Sequence, residues 1–488
     1  MHVLRLVLPL LAFFLWCGGA PAQTTESLGV LRLLPADSVT EKTIALADKR
    51  TLAYTATAGT LALHDQAGEK IGAVFYTAYV AKSADRATRP VTFAFNGGPG
   101  AASAYLHLGL AGPRIVEFGP QGNNGAAAKL IDNPDTWLAF TDLVFIDPLA
   151  TGWSRTIKPE AANAFFNVRR DAEMIAKVIA LYAANNSRTA SPKYLLGESY
   201  GGFRAAKVAR AMQIEQGLPA AGIVMVSPML DTALQWAGAS NALGAALHFP
   251  SLAAAELDRT KTYSDAAMAE IERFAINDYL TTLAGPPPAG ERAAQFYGTL
   301  AKMTGLPVEA VEKSRGYVRA PYLAQLRASG QVASSYDGAF LMPDPYPDSD
   351  TRRGGDPVLD GFTRALSGAF AGYARDELGF KTEITYVLLA DTAGKWEWGD
   401  RRNPPGVSDD IRTLLAFDPS FRLLVAHGRS DLVTPHGVTR FVFYNFPLIG
   451  GAGRVQLKLH RGGHMFYFDA AARKAFTRET AEFFGRGM

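Results

Sequence analysis

Cysteine is almost missing from this chain: Cys17 is the only one in 488 residues. No intrachain disulfide can form, so stability must come from a hydrophobic core even in an oxidising compartment. Surplus charge is missing too. The 49 basic and 46 acidic residues leave a formal charge of +3, with no block of like charges and no basic stripe. That removes the electrostatic footprint of a nucleic-acid partner. No His-Glu-x-x-His motif occurs and the eight histidines are scattered, so no metal site is expected. The glycine-rich stretches lack the Gly-x-Gly-x-x-Gly spacing of a dinucleotide site, and no cofactor is implied. The opening apolar run, Leu6–Trp16, is shorter than the roughly 20 residues of a bilayer span. Stable membrane insertion is not expected.

What is present is the composition of a large globular protein, 48% hydrophobic and 19% charged. The first residues follow the three-part secretory pattern: a positive start through Arg5, the apolar run Leu6–Trp16, and the small-x-small signal Ala20-Pro21-Ala22. Residues 1–22 are therefore expected to be a cleaved signal peptide and the mature protein to be secreted or periplasmic. Cleavage would also remove Cys17.

From Arg50 to Ala81 alternating stretches such as LAYTATA and GAVFYTAYVA read as early antiparallel strands. Four short apolar runs follow, each ending in turn or glycine-rich sequence: VTFAF (Val91–Phe95), LVFI (Leu143–Ile146), YLL (Tyr194–Leu196) and IVMV (Ile223–Val226). Runs apolar on both faces suit the interior of a parallel sheet. Between two of them, residues 168–184 show helical spacing at Ile175, Val178, Ile179 and Tyr182. Strand signals lapse after Pro228 and return at FRLLVA (Phe421–Ala426) and VQLKL (Val455–Leu459), with a last helix expected near Ala470–Phe484. Strand, helix, strand in alternation means an α/β fold with a mostly parallel central sheet flanked by helices. The interruption predicts a mainly helical cap at residues 233–410, inserted into a core made of 23–232 and 411–488.

Gly197-Glu198-Ser199-Tyr200-Gly201 has the Gly-x-Ser-x-Gly pattern of a nucleophile elbow. A serine on a sharp strand-to-helix turn projects clear of the sheet, and glycines on either side avoid clashes within the turn. The YLL strand precedes it and an Ala-rich helical segment follows, as an elbow requires. A serine hydroxyl needs a histidine to take its proton, and that histidine needs an acid to orient it. In chain order the acid comes next and the histidine last. Asp431 follows the FRLLVA strand in HGRSD, and His464 follows VQLKL in RGGHM. The rivals His427 and His436 read as polar turn residues and His460 as a strand-end residue, whereas the two glycines before His464 let its loop bend toward the serine. Asn96-Gly97-Gly98-Pro99-Gly100 directly after VTFAF offers backbone N–H groups free of side chains for a developing oxyanion. The second donor would be the N–H of Tyr200, the residue after the nucleophile.

Together GESYGG, NGGPG, DNPDTWLAFTDLVFIDPLATGWSR, GRSDLVTP and GGHM resemble signatures of the serine carboxypeptidase family, in the family's order, from Asn96 to Met465. The resemblance implies an α/β-hydrolase fold with a helical cap, and release of a C-terminal amino acid through an acyl-enzyme. It implies Ser199 as nucleophile, Asp431 as orienting acid and His464 as general base. Gly98 and Tyr200 would supply the oxyanion donors, while Asn96 with Glu198 would bind the terminal carboxylate of a peptide substrate. Two departures stand out. Many family members carry a second glutamate after the glycine loop, where this chain has Leu110, and the usual cysteine after NGGPG is replaced by Ala101. Both resemble the family's bacterial branch, and the first bears on how strictly a C-terminal carboxylate is required. Two other readings stay open: an esterase or acyltransferase on the same scaffold, acting on a small acyl substrate, and a non-catalytic binding protein on a hydrolase fold.

Overall fold

The computed structural model describes residues 28–485 apart from 83–84, 120–124, 238–240, 350, 352, 401, 403, 448, 450 and 452. The expected signal segment, with Cys17, lies outside the described residues.

The fold opens on an antiparallel meander, β1 (Ser38–Ala45), β2 (Thr51–His64) and β3 (Lys70–Ala81). Six parallel strands continue the same sheet: β4 (Val91–Phe95), β5 (Asp142–Ile146), β6 (Lys193–Glu198), β7 (Gly222–Val226), β8 (Arg422–Gly428) and β9 (Val455–His460). Their spatial order is β1-β2-β3-β5-β4-β6-β7-β8-β9, with the two-residue strand Arg155–Thr156 pairing β3 off this path. The mostly parallel sheet is the one expected.

Every residue of β4, β5, β6 and β7 is buried, a state that requires helices on both faces of the sheet. Alternate side chains enter separate cores. Leu196, Val224, Val226 and Leu424 meet Trp137, Phe476 and Phe484 on one face. Leu195, Ile223, Met225 and Leu423 meet the helices Val168–Asn185 and Tyr200–Glu215 on the other. The first of these helices starts where Asn167 accepts the Arg170 N–H at 2.9 Å, a side-chain cap for an otherwise unpaired donor. Truncating any one of these leucines to alanine would cost about 2–5 kcal/mol.

Chain order reverses at β4, whose neighbours are β5 on one side and β6 on the other. Such a switch point opens a crevice beyond the carboxyl ends of the strands. The register levels those ends: Phe95 pairs with Gly197, Glu198 with Val226, Val226 with Ala426, and Gly428 with His460. The loops after β4, β6, β8 and β9 therefore leave the sheet side by side.

Residues 233–410 divide by packing. Helices between Ala242 and Ala328 bury Phe249, Leu252, Met268, Tyr279, Phe296 and Tyr322 in a core of their own, joined by Leu432 of the sheet domain. The helix Pro357–Asp376, by contrast, inserts Phe362, Leu366 and Phe370 into the sheet's own core. Trp396 and Val407 belong to the core on the opposite face. Among the described residues no helix is long and apolar enough to cross a membrane.

Candidate active site

Strand β6 ends at Glu198 and a helix begins at Tyr200, leaving Ser199 alone to make the turn. Its backbone sits at φ 60° and ψ −126°, a region that non-glycine residues seldom occupy and that clusters at functional sites. The turn is held on both sides: Ser199 N–H donates to Val226 O at 2.9 Å, and Ser199 O accepts from Gly202 N at 3.0 Å and Met229 N at 3.2 Å. The neighbouring glycines are required by contact. A Cβ on Gly97 would meet Glu198 O, Tyr200 N and Gly201 N, each at 2.6 Å. The loop after β4 is thus pressed directly against the elbow. Gly98 follows at φ 96°, and its N–H and that of Tyr200 belong to the two segments in contact. Tyr200 opens its helix, so its N–H has no intrahelical acceptor.

His464 is fully buried, and its Nδ1–H donates to Asp431 Oδ2 at 2.8 Å, with Thr434 Oγ1 at 3.0 Å as a second acceptor. Asp431 Oδ1 accepts from the N–H groups of Val433 at 2.8 Å and Thr434 at 2.9 Å, and the Thr434 hydroxyl lies 2.7 Å from Oδ2. Burial on its own would raise the Asp431 carboxyl. The charge of His464 and the hydrogen bonds from His464 and Thr434 outweigh it and hold the carboxyl below its ordinary value. The same pair works in reverse on His464: burial disfavours its cation, but Asp431 lifts its pKa above the usual imidazole range. Two hydrogen bonds anchor the His464 backbone. Ser227 Oγ donates to His464 O at 2.8 Å, and the N–H of His464 donates to Tyr336 O at 2.6 Å. The Tyr336 ring stands edge-on to the imidazole, 5.3 Å between centroids.

The other imidazole nitrogen, Nε2, lies 3.9 Å from Glu198 Oε1. Ser199 is half-buried, and among the described residues its hydroxyl makes no hydrogen bond.

Glu198 is a buried carboxyl. Its Oε2 accepts from Asn96 Nδ2 at 2.6 Å and from the Tyr467 hydroxyl at 2.7 Å. Asn96 is fixed in turn, its Oδ1 accepting from Leu106 N at 3.1 Å and its carbonyl accepting from Arg204. Burial raises the Glu198 pKa above the usual carboxylate value, against the opposing pull of His464, Tyr467 and Asn96. Both donors go to Oε2, leaving Oε1 directed toward His464. Leu110 is buried in the core and supplies no partner. The hydroxyl that supports Glu198 comes instead from Tyr467, three residues after His464, which the sequence reading did not single out. Thr434, Ser227 and Arg204 were missed likewise. Thr434 and Arg204 stand inside or beside the quoted motifs, but nothing in their spacing announces a contact.

The turn reading of two histidines is corrected. Strand β8 runs on to Gly428, so His427 is a buried strand residue bonded to Thr439 Oγ1 at 2.8 Å. His436 starts a helix, fully buried, between Ser251 Oγ and Glu272 Oε1, each at 3.2 Å. His460 ends β9 as expected and stacks on Phe466 at 4.6 Å. Beside the His464 loop lies a cleft of about 760 Å³ with an aromatic lining that includes Tyr336, Phe118, Phe362 and Phe468. Among the described residues no group of three or more His, Cys, Asp or Glu side chains is arranged to hold a metal ion.

A mostly parallel sheet whose order reverses beside a serine held at positive φ between strand and helix defines the α/β-hydrolase fold. Over residues 49–266 the chain matches the model of the serine carboxypeptidase family. That stretch contains Asn96, Gly98, Glu198, Ser199 and Tyr200 and stops short of Asp431 and His464. No curated protein matches the chain. Solved structures similar to it include a peroxisomal α/β-hydrolase from Saccharomyces cerevisiae, at 10% identity and TM-score 0.34, covering 92% of this chain and 89% of that one. A thermophilic esterase from Thermogutta terrifontis is similar at 12% identity and TM-score 0.34, covering 92% and 98%. A homoserine O-acetyltransferase from Bacillus anthracis is similar at 13% identity and TM-score 0.35, covering 93% and 99%.

Proposed function

We propose that the chain is an exported serine-type carboxypeptidase in which Ser199, His464 and Asp431 act as nucleophile, general base and orienting acid. The observation that carries this reading is the 2.8 Å bond from His464 Nδ1 to Asp431 on a ring whose other nitrogen faces the elbow. With Nδ1–H held by Asp431, Nε2 is the free base. It takes the proton of Ser199 Oγ as that oxygen attacks the scissile carbonyl. The N–H groups of Gly98 and Tyr200 receive the oxyanion. His464 then passes its proton to the leaving amine, whose departure breaks the peptide bond and leaves an acyl-enzyme. Water, deprotonated by the same nitrogen, releases the acyl product.

Glu198 gives the reading its C-terminal direction. A carboxyl kept protonated can donate to a substrate carboxylate, and Oε1 is the oxygen available for it. Asn96 orients Glu198 and has a second amide hydrogen for the same anion. The aromatic cleft beside Tyr336 suits an apolar residue of the peptide. Export rests on residues 1–22 alone, and the mass of the mature protein from a periplasmic or culture fraction tests it.

The esterase or acyltransferase reading draws on Leu110, which leaves Glu198 without a carboxyl partner. Turnover of one blocked peptide as free acid, as amide and as simple ester decides between the two. Preference for the free acid is the expected result, and turnover of the ester alone would overturn the peptidase reading. A fluorophosphonate probe should label the wild type and spare Ser199→Ala. Absence of labelling in both would leave the non-catalytic reading standing.

A further inference from the structure

Beside the loop that carries Asp431, on the side of the separate helical core, lies a second cavity of about 280 Å³ that the proposed mechanism does not use. Its walls include Trp236, Tyr279, His248, Arg319, Ala245 and Leu432. Leu432 is the residue after Asp431. The Trp236 ring touches that of Trp398 at 4.9 Å, which touches that of Tyr200 at 5.4 Å. The cavity therefore adjoins the Asp431 loop and connects through two ring contacts to the residue after Ser199, and Trp236, 54% exposed, forms its lip.

Its charge is unusual. Arg319 is partly buried and forms no ion pair among the described residues. Its Nη1 donates to His248 Nδ1 at 2.9 Å and its Nη2 to Leu432 O at 3.3 Å. The acid whose charge it feels is Asp431, and that carboxylate is already saturated by His464, Thr434 and Val433. Because Nδ1 of His248 accepts, its proton sits on Nε2. That buried nitrogen makes no hydrogen bond. Burial holds His248 down to about 4, so it stays neutral and cannot repel the guanidinium. A partly buried guanidinium with most of its five donors unspent and no ion-pair partner among the described residues suits a carboxylate. The surrounding aromatic and aliphatic walls fit the methylene stem of an acidic side chain.

We propose that this cavity is a substrate subsite for an aspartate or glutamate side chain flanking the scissile bond, with Arg319 as the residue that binds it. As a statement about substrate it rests on the peptidase reading; as a statement about carboxylate binding it does not. Two measurements separate the cases. In the first, kcat/KM is compared for blocked peptides differing only by Glu or Gln at each position next to the scissile bond. The wild type should favour Glu by about tenfold at one position. Arg319→Gln should bring the pair to parity while the Gln peptide stays within about twofold of its wild-type value. Equal turnover of both peptides by the wild type, or a preference that survives R319Q, overturns the proposal. In the second, Tm is followed in millimolar glutarate. The wild type should be stabilised and R319Q should not, and equal response of the two proteins overturns carboxylate binding even if no peptide is ever cleaved. Should R319Q fail to fold, Ala245→Glu places a carboxylate in the same cavity and should abolish both the Glu preference and the glutarate response.

Discussion

Two fully buried carboxyls stand on opposite sides of the His464 ring, and the fold treats them in opposite ways. Asp431 receives two backbone N–H groups, a hydroxyl and the imidazole N–H, and its pKa falls. Glu198 receives an amide and a hydroxyl, both on one oxygen, and its pKa rises. Burial is the largest influence on both, and the charge of His464 opposes it at both. The difference lies in the extra donors to Asp431 and in the Asp431 charge, which pushes Glu198 further up. Neighbouring acids driven apart in this way take different roles, one a fixed anion and the other a proton carrier.

The largest effect should come from Asp431→Asn. The amide keeps the shape and removes the charge, so His464 loses both the correct tautomer and its counter-ion. A fall in kcat of about 10⁴ is expected, together with the loss of fluorophosphonate labelling on the wild-type timescale. A fall of less than tenfold would mean that the Asp431–His464 bond serves the fold rather than the chemistry.

Glu198→Gln should act next, on binding. On the proposed reading, Glu198 of the wild type holds its proton at low pH and loses it as pH rises, after which it would repel a substrate carboxylate. KM for a free-acid peptide should therefore worsen from about pH 5 to about pH 8, starting from an ordinary Glu value of about 4.3 that burial raises. Glutamine keeps the donor and cannot ionise, so its profile should be flat while kcat changes little. Stability follows the same sign. A raised folded-state pKa contributes stability that is complete below the ordinary carboxylate value and is lost as pH rises through the raised one. The Tm of E198Q should therefore gain on the wild type as pH increases. Asp431, with its depressed value, contributes stability above about pH 4 that is lost on acidification. Parallel Tm curves for wild type and E198Q would show that Glu198 does not titrate in this range.

How much of this contrast could be read in advance follows from what each residue's position depends on. Strands β4 to β7 were legible because residues buried on both faces leave short, mainly apolar runs. Ser199 was legible because only glycine fits at Gly97, Gly197 and Gly201 when two backbones pass this closely. Asp431 and His464 could be placed because each follows a strand that the register brings level with the elbow. The supporting hydroxyls could not. Whether Tyr467 or Thr434 reaches a carboxyl is decided by the path of a loop, which leaves no periodic trace. Likewise Phe362 and Phe370 repeat as they would on any amphipathic helix, and only packing assigns them to the sheet rather than to the helical insertion. His427 was misread because the strand continues two residues beyond its last aliphatic one.

The smallest effect should come from Tyr467→Phe, and its sign is the sharpest test of the contrast. The hydroxyl donates to Glu198 Oε2 at 2.7 Å and thereby favours the ionised carboxylate. Without it the Glu198 pKa should move further up, because burial is then opposed only by Asn96 and His464. The protonated form would persist to higher pH, and the rise in KM for a free-acid peptide should begin later. At neutral pH the variant should bind that peptide slightly better than the wild type, by about threefold or less, equivalent to roughly 0.6 kcal/mol. Stability should fall by about 1 kcal/mol for the lost hydrogen bond, and kcat for an ester should stay unchanged. A residue that merely filled space would lower stability without moving the KM profile along the pH axis. A shift of that profile to lower pH would mean that Tyr467 supports the protonated acid, reversing the part assigned to it beside Glu198.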